Sequence, residues 1–187
     1  GVTRYAIQKG LTVEGIIRGY EGLLSHETRP LGRRDVGAII HRGGTMLRTA
    51  RCLEFKEKET QKKAAAYLRE LEIDALVVVG GDGSMRGAQA LSRWGIPTIT
   101  IPGTIANDMM GTQYTLGFDT AVNTVLESVN KIRDTAFSHD RVAVIEVMGR
   151  DAGFLALNSA LASGAEAAII PEISTEVDQL AELIQNG

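Results

Sequence analysis

The sequence is poor in the residues that would cross-link it, span a membrane or attach it to nucleic acid. Cys52 is the only cysteine among 187 residues, so no disulfide can form within the chain, and a reducing compartment fits. No apolar run approaches the ~20 residues of a membrane-spanning helix, and no secretory signal is visible. The formal net charge is −3, which gives a nucleic-acid role no electrostatic support. We therefore expect a cytoplasmic protein without a nucleic-acid or membrane partner.

The remaining composition is that of an ordinary globular protein. Hydrophobic residues make up 44% of the chain and charged residues 23%, and its length suffices for one ample domain or two small ones. Short apolar runs alternate with helical patterns, which is typical of an α/β fold with a doubly wound, mostly parallel sheet. The chain opens in the middle of a helical pattern, and both ends look cut, so we expect this fold to be incomplete at both ends. The three histidines lack ligand spacing, so no histidine metal site is expected.

Local patterns of apolar, helix-forming and turn residues predict the individual elements. Predicted strands cover residues 11–20, 75–79, 96–101, 141–147 and 167–170. Predicted helices cover residues 1–9, 35–40, 56–71, 84–94, 121–135, 154–162 and 176–185, the last closed by Asn186 and Gly187. A turn at 19–22 and loops at 25–32 and 105–118 lie between them. Asp119 or Thr120 is the expected cap of the helix at 121–135.

One stretch organises the chain: an apolar run, a glycine turn at residues 80–84 and a helical pattern. Backbone N–H groups at such a turn, together with the positive end of the helix dipole, favour an anion. Asp82 could hold a divalent cation against that anion, and the small Gly87 would leave room for a close ligand. A plain Asp-Gly turn is the alternative, but three glycines exceed what one turn requires, so a phosphate site is favoured.

Two further loops follow predicted strands, and the carboxyl ends of parallel strands meet at one edge of a sheet. Residues 102–108 carry Thr104 and Asp108, a hydroxyl and a carboxylate that could orient or deprotonate an alcohol. The alternative for Asp108 is an ordinary turn residue. Residues 148–150 carry Arg150, whose guanidinium suits a phosphate or sugar oxygen, with a local ion pair to Asp151 as the alternative.

The order and spacing of four segments are far more specific than any one of them. They read GGDGS, PGTIxND, GFDTA and EVMGR, and together they closely resemble the bacterial-type ATP-dependent 6-phosphofructokinases from Gly1 to about Pro171. The resemblance implies transfer of the γ-phosphoryl group of Mg·ATP to the 1-hydroxyl of fructose 6-phosphate, the glycolytic step that yields fructose 1,6-bisphosphate. It also implies a homotetramer, with ADP or phosphoenolpyruvate as effectors. A nucleotide-binding lobe lacking its first strand would cover residues 1–117, and the start of a sugar-phosphate-binding lobe residues 118–187.

The resemblance also implies a role for each matching position. ATP is expected at Arg51, Cys52, Gly81, Asp82, Gly83, Ser84 and Gly87, with Asp82 serving Mg²⁺ and Arg51 bridging the transferred group. The sugar phosphate is expected at Thr104, Ala106, Asp108, Arg141, Met148, Gly149 and Arg150, with Arg141 reaching a neighbouring subunit. The effector is expected at Arg4, Arg33, Arg133, Gly164 and Glu166. Gly83 and Gly103 are the ATP-type choices, since pyrophosphate-using relatives carry Asp and Lys there. From the residues alone, Arg51 and Arg141 would be surface charges and Cys52 a half-buried thiol.

Ala106 departs from the family pattern, which reads PGTIDND. It stands where the family's catalytic base, an aspartate, takes the proton from the sugar hydroxyl. A methyl group accepts no proton, and loss of a general base costs about 10²–10⁴-fold in rate, so the sequence predicts severely impaired activity. Either the chain is an engineered variant of an active kinase, or it is a non-catalytic paralogue that retains sugar-phosphate or effector sites for regulation. A GGDG-type kinase acting on NAD or diacylglycerol is the weaker alternative, because such kinases have no reason to share PGTIxND and EVMGR.

Overall fold

The computed structural model describes residues 1–186, in which helices alternate with short strands up to residue 104, and three helices follow the last short strand at residues 116–117. The helices are α1 (Val2–Gln8), α2 (Gly19–Leu24), α3 (Lys58–Glu70), α4 (Asp82–Arg93), α5 (Phe118–Ser138), α6 (Phe154–Ser163) and α7 (Val177–Asn186). The strands are β1 (Glu14–Ile16), β2 (Thr28–Pro30), β3 (Leu76–Gly80), β4 (Thr98–Thr104) and β5 (Leu116–Gly117). A 3₁₀ turn covers Leu53–Lys56.

The strands form two sheets. The first is a two-stranded antiparallel ribbon, in which Gly15 of β1 lies opposite Arg29 of β2. The second has the order β3-β4-β5, and β4 and β5 run parallel, with Gly103 opposite Leu116. Helix α4 connects β3 to β4, a loop connects β4 to β5, and α5 follows β5, so strands and helices are combined as the predicted α/β class requires.

Contacts divide the chain into two compact units, of which the first comprises Gly1–Val78 and Gly83–Thr100. Its core is built around Leu23, Leu68 and Leu91, which are fully buried, together with Phe55 and Ile96. Helix α3 contributes one face to this core, because residues three and four positions apart lie on the same side of a helix. That face holds Ala64, Ala65 and Leu68.

The second unit comprises Val79–Asp82 and the chain from Ile101 onward. Helices α5 and α6 pack together in it, with Phe118 and Leu155 buried. Arg133 of α5 donates a hydrogen bond to the carbonyl of Ser163, the last residue of α6. This hydrogen bond ties α5 to the end of α6.

The predicted strands at residues 141–147 and 167–170 are not formed. Val142 is 61% exposed and Val144 84% exposed, and Ile169 is exposed as well. A β-branched run favours extended backbone, but a strand also needs a neighbour for its N–H and C=O groups. Within residues 1–186 no ladder pairs either segment with another.

Three predictions near the start of the chain were wrong. The strand at 11–20 shrinks to β1, because Arg18 adopts a left-handed conformation (φ 59°) and Gly19 begins α2 where a turn was expected. The loop at 25–32 contains β2, whose Pro30 is tolerated because the ribbon leaves strand edges open. The helix at 35–40 is absent, since Ala38 has a φ of 51°, outside the right-handed helical region.

Several predicted elements are confirmed with shifted ends. Helices α1, α3, α6 and α7 lie where predicted, and helix α5 is longer than the predicted 121–135. Its cap is Gly117 (φ 107°) and not Asp119 or Thr120. The predicted closing role of Gly187 lies outside the described residues. No helix within residues 1–186 combines the length and the apolar character needed to cross a membrane.

Candidate active site

The glycine turn is tighter than predicted. Strand β3 ends at Gly80 and helix α4 begins at Asp82, so Asp82, Gly83 and Ser84 form the first helical turn instead of a loop. An acidic residue in the first turn is favoured by the helix dipole, which helps to explain the early start. The first N–H groups of a helix have no partner within the helix. This helix start is the kind of position on which the anion-binding prediction rests, and the binding itself stays a prediction.

Strand β4 brings Thr104 beside this turn. The strand was predicted to end at residue 101 but continues through Pro102 and Gly103 to Thr104. A Cβ atom built on Gly81 would lie 3.7 Å from Cβ of Thr104, so the two backbones are close neighbours. A Cβ atom on Gly103 would lie 2.9 Å from Cγ1 of Val79. A side chain at position 103 would therefore require Val79 to shift.

Position 106 lies directly beyond the end of β4. The N–H of half-buried Ala106 donates to Oγ1 of Thr104 across 3.3 Å. Asn107 is left-handed, with a φ of 53°, and Asp108 is exposed. The structure thus groups Gly81, Thr104 and Ala106, three of the residues singled out from the sequence, within the second unit.

A hydrogen-bonded contact that sequence analysis missed holds the loop after position 106. Oγ1 of Thr115 donates to the carbonyl of Thr104 across 2.6 Å, and the N–H of Thr115 donates to Oδ1 of Asn107 across 2.8 Å. Nδ2 of Asn107 donates to the carbonyl of Gln113 across 3.1 Å. Thr115 is only 4% exposed, which is unusual for a residue in a polar loop.

The loop at residues 148–150 is a tight turn. The N–H of Ala152 donates to the carbonyl of Gly149 across 3.0 Å, and Arg150 has a φ of 54°. A Cβ atom on Gly149 would collide with the carbonyl of Ala152, so this position requires glycine. Met148 and Arg150 are both exposed. No ion pair joins Arg150 to Asp151 in the described part of the chain, so that alternative is wrong.

Glu172 holds the far end of the same turn and was not singled out from the sequence. Its Oε1 accepts a hydrogen bond from the N–H of Gly153 across 2.7 Å. Gly153 is the residue that caps α6. A Cβ atom there would collide with Ile170 and approach the Glu172 carboxylate. The carboxylate therefore fixes the start of α6 and the turn that leads into it.

In the first unit, Tyr20 packs on the start of α4. Its hydroxyl donates to the carbonyl of Ser84 across 2.6 Å, and its ring stacks on Phe55 with centroids 4.2 Å apart. A Cβ atom on Gly87 would overlap the Tyr20 ring. The space expected for a ligand beside Gly87 is thus filled by Tyr20. Tyr20 and Gly87 are far apart in the sequence, so no local sequence pattern could indicate this contact.

We expect Tyr20→Phe to lower the free energy of unfolding by about 1 kcal/mol, through loss of one hydrogen bond. Burial raises the pKa of the Tyr20 hydroxyl far above its usual value. Because the folded-state pKa is raised, the contribution of the neutral hydroxyl is complete below about pH 10 and is lost as pH rises further. Urea unfolding at about pH 8 and pH 10.5 should show a smaller alkaline loss for Tyr20→Phe than for the parent. Tyr5→Phe, at an exposed tyrosine, is the control, and an equal alkaline loss in Tyr20→Phe and the parent would contradict the assignment.

The other predicted nucleotide ligands of the first unit are Arg51 and Cys52. Arg51 is exposed, whereas Cys52 is half-buried and packs against the core that contains Phe55 and Leu68. The predicted half-burial of Cys52 is confirmed, and the nucleotide roles of Arg51 and Cys52 stay predictions.

The predicted effector residues are divided between the two units. Arg133 and Gly164 come together in the second unit, because Arg133 bonds to the carbonyl of Ser163 and Gly164 is the left-handed cap (φ 65°) that follows. Glu166, two residues after Gly164 in the sequence, is exposed. Arg4 on α1 and Arg33 after β2 are exposed residues of the first unit.

Asp82, at the start of α4, is the residue predicted to bind Mg²⁺, and its surroundings can be compared with what this ion requires. Asp82 is exposed, and residues 1–186 contain no cluster of three or more His, Cys, Asp or Glu able to hold an ion. Mg²⁺ usually keeps several waters and binds through one or two carboxylates plus substrate phosphates. The carboxylate of Asp82, at a turn predicted to bind phosphate, fits such an ion.

Comparison with known proteins gives consistent results. A family model described as phosphofructokinase matches residues 1–187. The ATP-dependent 6-phosphofructokinase 2 of Bacteroides thetaiotaomicron is 57% identical over 187 residues, all of this chain and 57% of that protein. The ATP-dependent 6-phosphofructokinase 1 of Clostridium perfringens is 53% identical over 186 residues, 100% of this chain and 58% of that protein. The chain thus spans little more than half the length of these relatives.

A solved structure agrees on the fold. The crystal structure of Pichia pastoris phosphofructokinase in the T-state superposes with a TM-score of 0.84 at 32% identity, over 99% of this chain and 22% of that one. The predicted phosphofructokinase-like α/β fold is confirmed. With the family model covering the whole sequence, the chain belongs to the phosphofructokinase family.

Proposed function

We propose that this chain forms the nucleotide-binding part, and the start of the sugar-phosphate-binding part, of an ATP-dependent 6-phosphofructokinase whose phosphoryl-transfer step is disabled at Ala106. The observation that carries the proposal is the group formed within the second unit by Gly81, Thr104 and Ala106, with Asp82 directly after Gly81 in the chain. An anion-binding helix start beside a hydroxyl and the position of a base is the arrangement that phosphoryl transfer to an alcohol needs. The names of the similar proteins support the same reaction.

The proposed roles of the residues follow from their chemistry. The N–H groups at the start of α4 bind the β- and γ-phosphates of ATP, and Asp82 lies on the metal side. Mg²⁺, when bound with the nucleotide, neutralises phosphate charge. Thr104 orients the 1-hydroxyl of fructose 6-phosphate, and Arg150 binds the sugar phosphate. Arg51, Arg141, Met148 and Gly149 complete these sites in the manner the resemblance implies.

The missing step is proton removal. In the transfer, the 1-oxygen of the sugar forms a bond to the γ-phosphorus, the bond from phosphorus to the ADP oxygen breaks, and the hydroxyl proton must leave. The methyl group of Ala106 cannot take this proton. Asp108 lies two residues further on, beyond the left-handed Asn107. We infer that positioning and electrostatics remain while the general base is lost.

A regulatory protein is the second candidate, and Ala106 is the observation that favours it. Such a protein would bind fructose 6-phosphate, or ADP or phosphoenolpyruvate at Arg4, Arg33, Arg133, Gly164 and Glu166, without chemistry. The homotetramer, which the resemblance implies, and the cytoplasmic location, which the composition favours, belong to either proposal.

Replacements at Gly83 test the nucleotide site. A Cβ atom at Gly83 meets nothing within 4 Å, so Gly83→Ala should fold and bind ATP like the parent. Gly83→Asp should weaken Mg·ATP binding at least about tenfold, because a carboxylate in the first turn repels phosphate, while the same charge favours the helix itself. Calorimetric titration of a chain with this sequence at the length of its relatives measures both affinities. Equal affinity for Mg·ATP in the two variants, or no binding by the parent, would overturn the nucleotide proposal.

A further inference from the structure

The loop that follows position 106 is closed at its neck by two side chains, Asn107 and Thr115, which we call the clasp. Thr115 joins the two ends, since its Oγ1 donates to the Thr104 carbonyl across 2.6 Å and its N–H donates to Oδ1 of Asn107 across 2.8 Å. Thr115 is almost fully buried, so each of these bonds is protected from competition with water. The clasp therefore binds the end of β4 to the residue that precedes β5.

Asn107 is suited to this position by both its backbone and its side chain. Its φ of 53° lies in the left-handed region, which asparagine tolerates better than most residues. Its amide meets one donor and one acceptor, the N–H of Thr115 and the carbonyl of Gln113. Only an amide with its oxygen toward Thr115 satisfies both. Aspartate, leucine or alanine at this position would leave at least one partner without its bond.

The conformation of Asn107 decides where its two neighbours lie. Ala106 and Asp108 flank this left-handed residue, so the backbone conformation at Asn107, which the clasp holds, sets the direction in which the chain leaves Ala106. The Ala106 N–H is fixed on the other side by Oγ1 of Thr104, 3.3 Å away. Position 106 is thus held from both directions by side-chain bonds, although it lies outside any regular element.

We propose that Asn107 and Thr115 are positioning residues that fix the backbone of position 106, and hence the direction in which a side chain there meets the sugar hydroxyl. The proposal rests on the proposed function. A base must lie within hydrogen-bond reach of the proton that it abstracts, and displacement by about 1 Å can cost about 10²-fold in rate. A loop without regular structure needs such bonds to hold that tolerance.

The test combines amide hydrogen exchange with kinetics, in a chain of the relatives' full length. Asn107→Ala and Thr115→Val each remove part of the clasp, Thr115→Ser keeps the hydroxyl, and Asn107→Asp keeps the acceptor for Thr115 but loses the donor to Gln113. Thr112→Val is the matched control, since Thr112 bonds within the same loop to the carbonyl of Tyr114. For the kinetic measurements, each change is combined with Ala106→Asp in a double variant.

We expect Asn107→Ala and Thr115→Val to speed exchange of the Thr115 and Ala106 amides at least about tenfold. In the Ala106→Asp background they should lower kcat by about 10²-fold while the KM for ATP changes less than about twofold. Thr115→Ser should restore most of the rate, Asn107→Asp should fall between, and Thr112→Val should match the parent in both measurements.

Two results would overturn the proposal: unchanged exchange in Asn107→Ala and Thr115→Val, or faster exchange with an unchanged kcat. The second would make the clasp a purely structural feature. Failure of the proposed function is seen separately, as absent binding of fructose 6-phosphate and ATP to the parent. In that case the exchange rates alone decide whether the clasp fixes position 106.

Discussion

Ala106→Asp is expected to raise the rate of fructose-6-phosphate-dependent ADP formation by about 10²–10⁴-fold, the usual contribution of a general base. The surroundings of the position favour this result. Thr104 lies beside it and next to Gly81, and hydrogen bonds from Ala106 to Thr104 and from Thr115 to Asn107 hold the local backbone. Only the proton acceptor would have to be supplied. The assay couples ADP formation to a visible signal, in a chain with this sequence at the length of its relatives.

Ala106→Asn is the matched control for this gain. Its side chain has nearly the shape of aspartate but an amide in place of the carboxylate, so it cannot act as the base. A rise in Ala106→Asp that is absent from Ala106→Asn assigns the gain to proton transfer. No rise in Ala106→Asp, together with normal affinity for fructose 6-phosphate, would favour the regulatory protein over the disabled kinase.

Local patterns were sufficient for the part of the fold that carries the site. The apolar run before Gly80 predicts β3, and the alanine-rich segment predicts α3, because strand and helix periodicity are both read within a few residues. The neighbouring positions of Gly81 and Thr104 follow from a general rule, since parallel strands present their carboxyl ends at one edge. The position of the glycine turn between β3 and α4 could therefore be predicted without knowledge of any contact.

Features that depend on distant contacts could not be predicted in this way. The apolar segment at 141–147 has a strand-like composition, yet it stays unpaired because a strand requires a partner and composition supplies none. The small size of Gly87 predicted space for a ligand, but the ring of Tyr20, distant in the sequence, occupies that space. Asn107 and Thr115 looked like ordinary loop residues because their bond is defined by the left-handed backbone at Asn107.

The predicted site residues likewise fall into two groups, those assigned from local physical arguments and those assigned from the resemblance. Residues assigned from a helix start or a strand end, such as Gly81 and Thr104, lie where the physical argument placed them. Roles that came only from the resemblance, such as those of Arg51 and Arg141, stay predictions. Glu172 was not predicted, because nothing in the local sequence indicates that its carboxylate accepts a hydrogen bond from the N–H of Gly153.

Arg150→Ala is expected to weaken the binding of fructose 6-phosphate by about 10²-fold at low salt. A guanidinium that binds a phosphate makes charge-assisted hydrogen bonds worth about 1.5–3 kcal/mol each, and about 1.4 kcal/mol corresponds to tenfold in affinity. The structure leaves this guanidinium exposed and without an ion pair to Asp151 in the described part of the chain. It is therefore available for a ligand. Calorimetric titration with fructose 6-phosphate measures the change.

Two companion variants separate the charge of Arg150 from the strain of its turn. Arg150→Gly removes the guanidinium and also relieves the left-handed backbone, whose φ is 54°. If the guanidinium binds the phosphate, Arg150→Gly and Arg150→Ala should lose similar affinity, and Arg150→Lys should lose less, because it keeps the charge without the two-pronged geometry. If turn strain governs binding instead, Arg150→Gly and Arg150→Ala should differ, and Arg150→Lys should resemble the parent. Unchanged affinity in Arg150→Ala would remove residues 148–150 from the sugar-phosphate site, while leaving the nucleotide turn at Gly81 and the test at Ala106 unaffected.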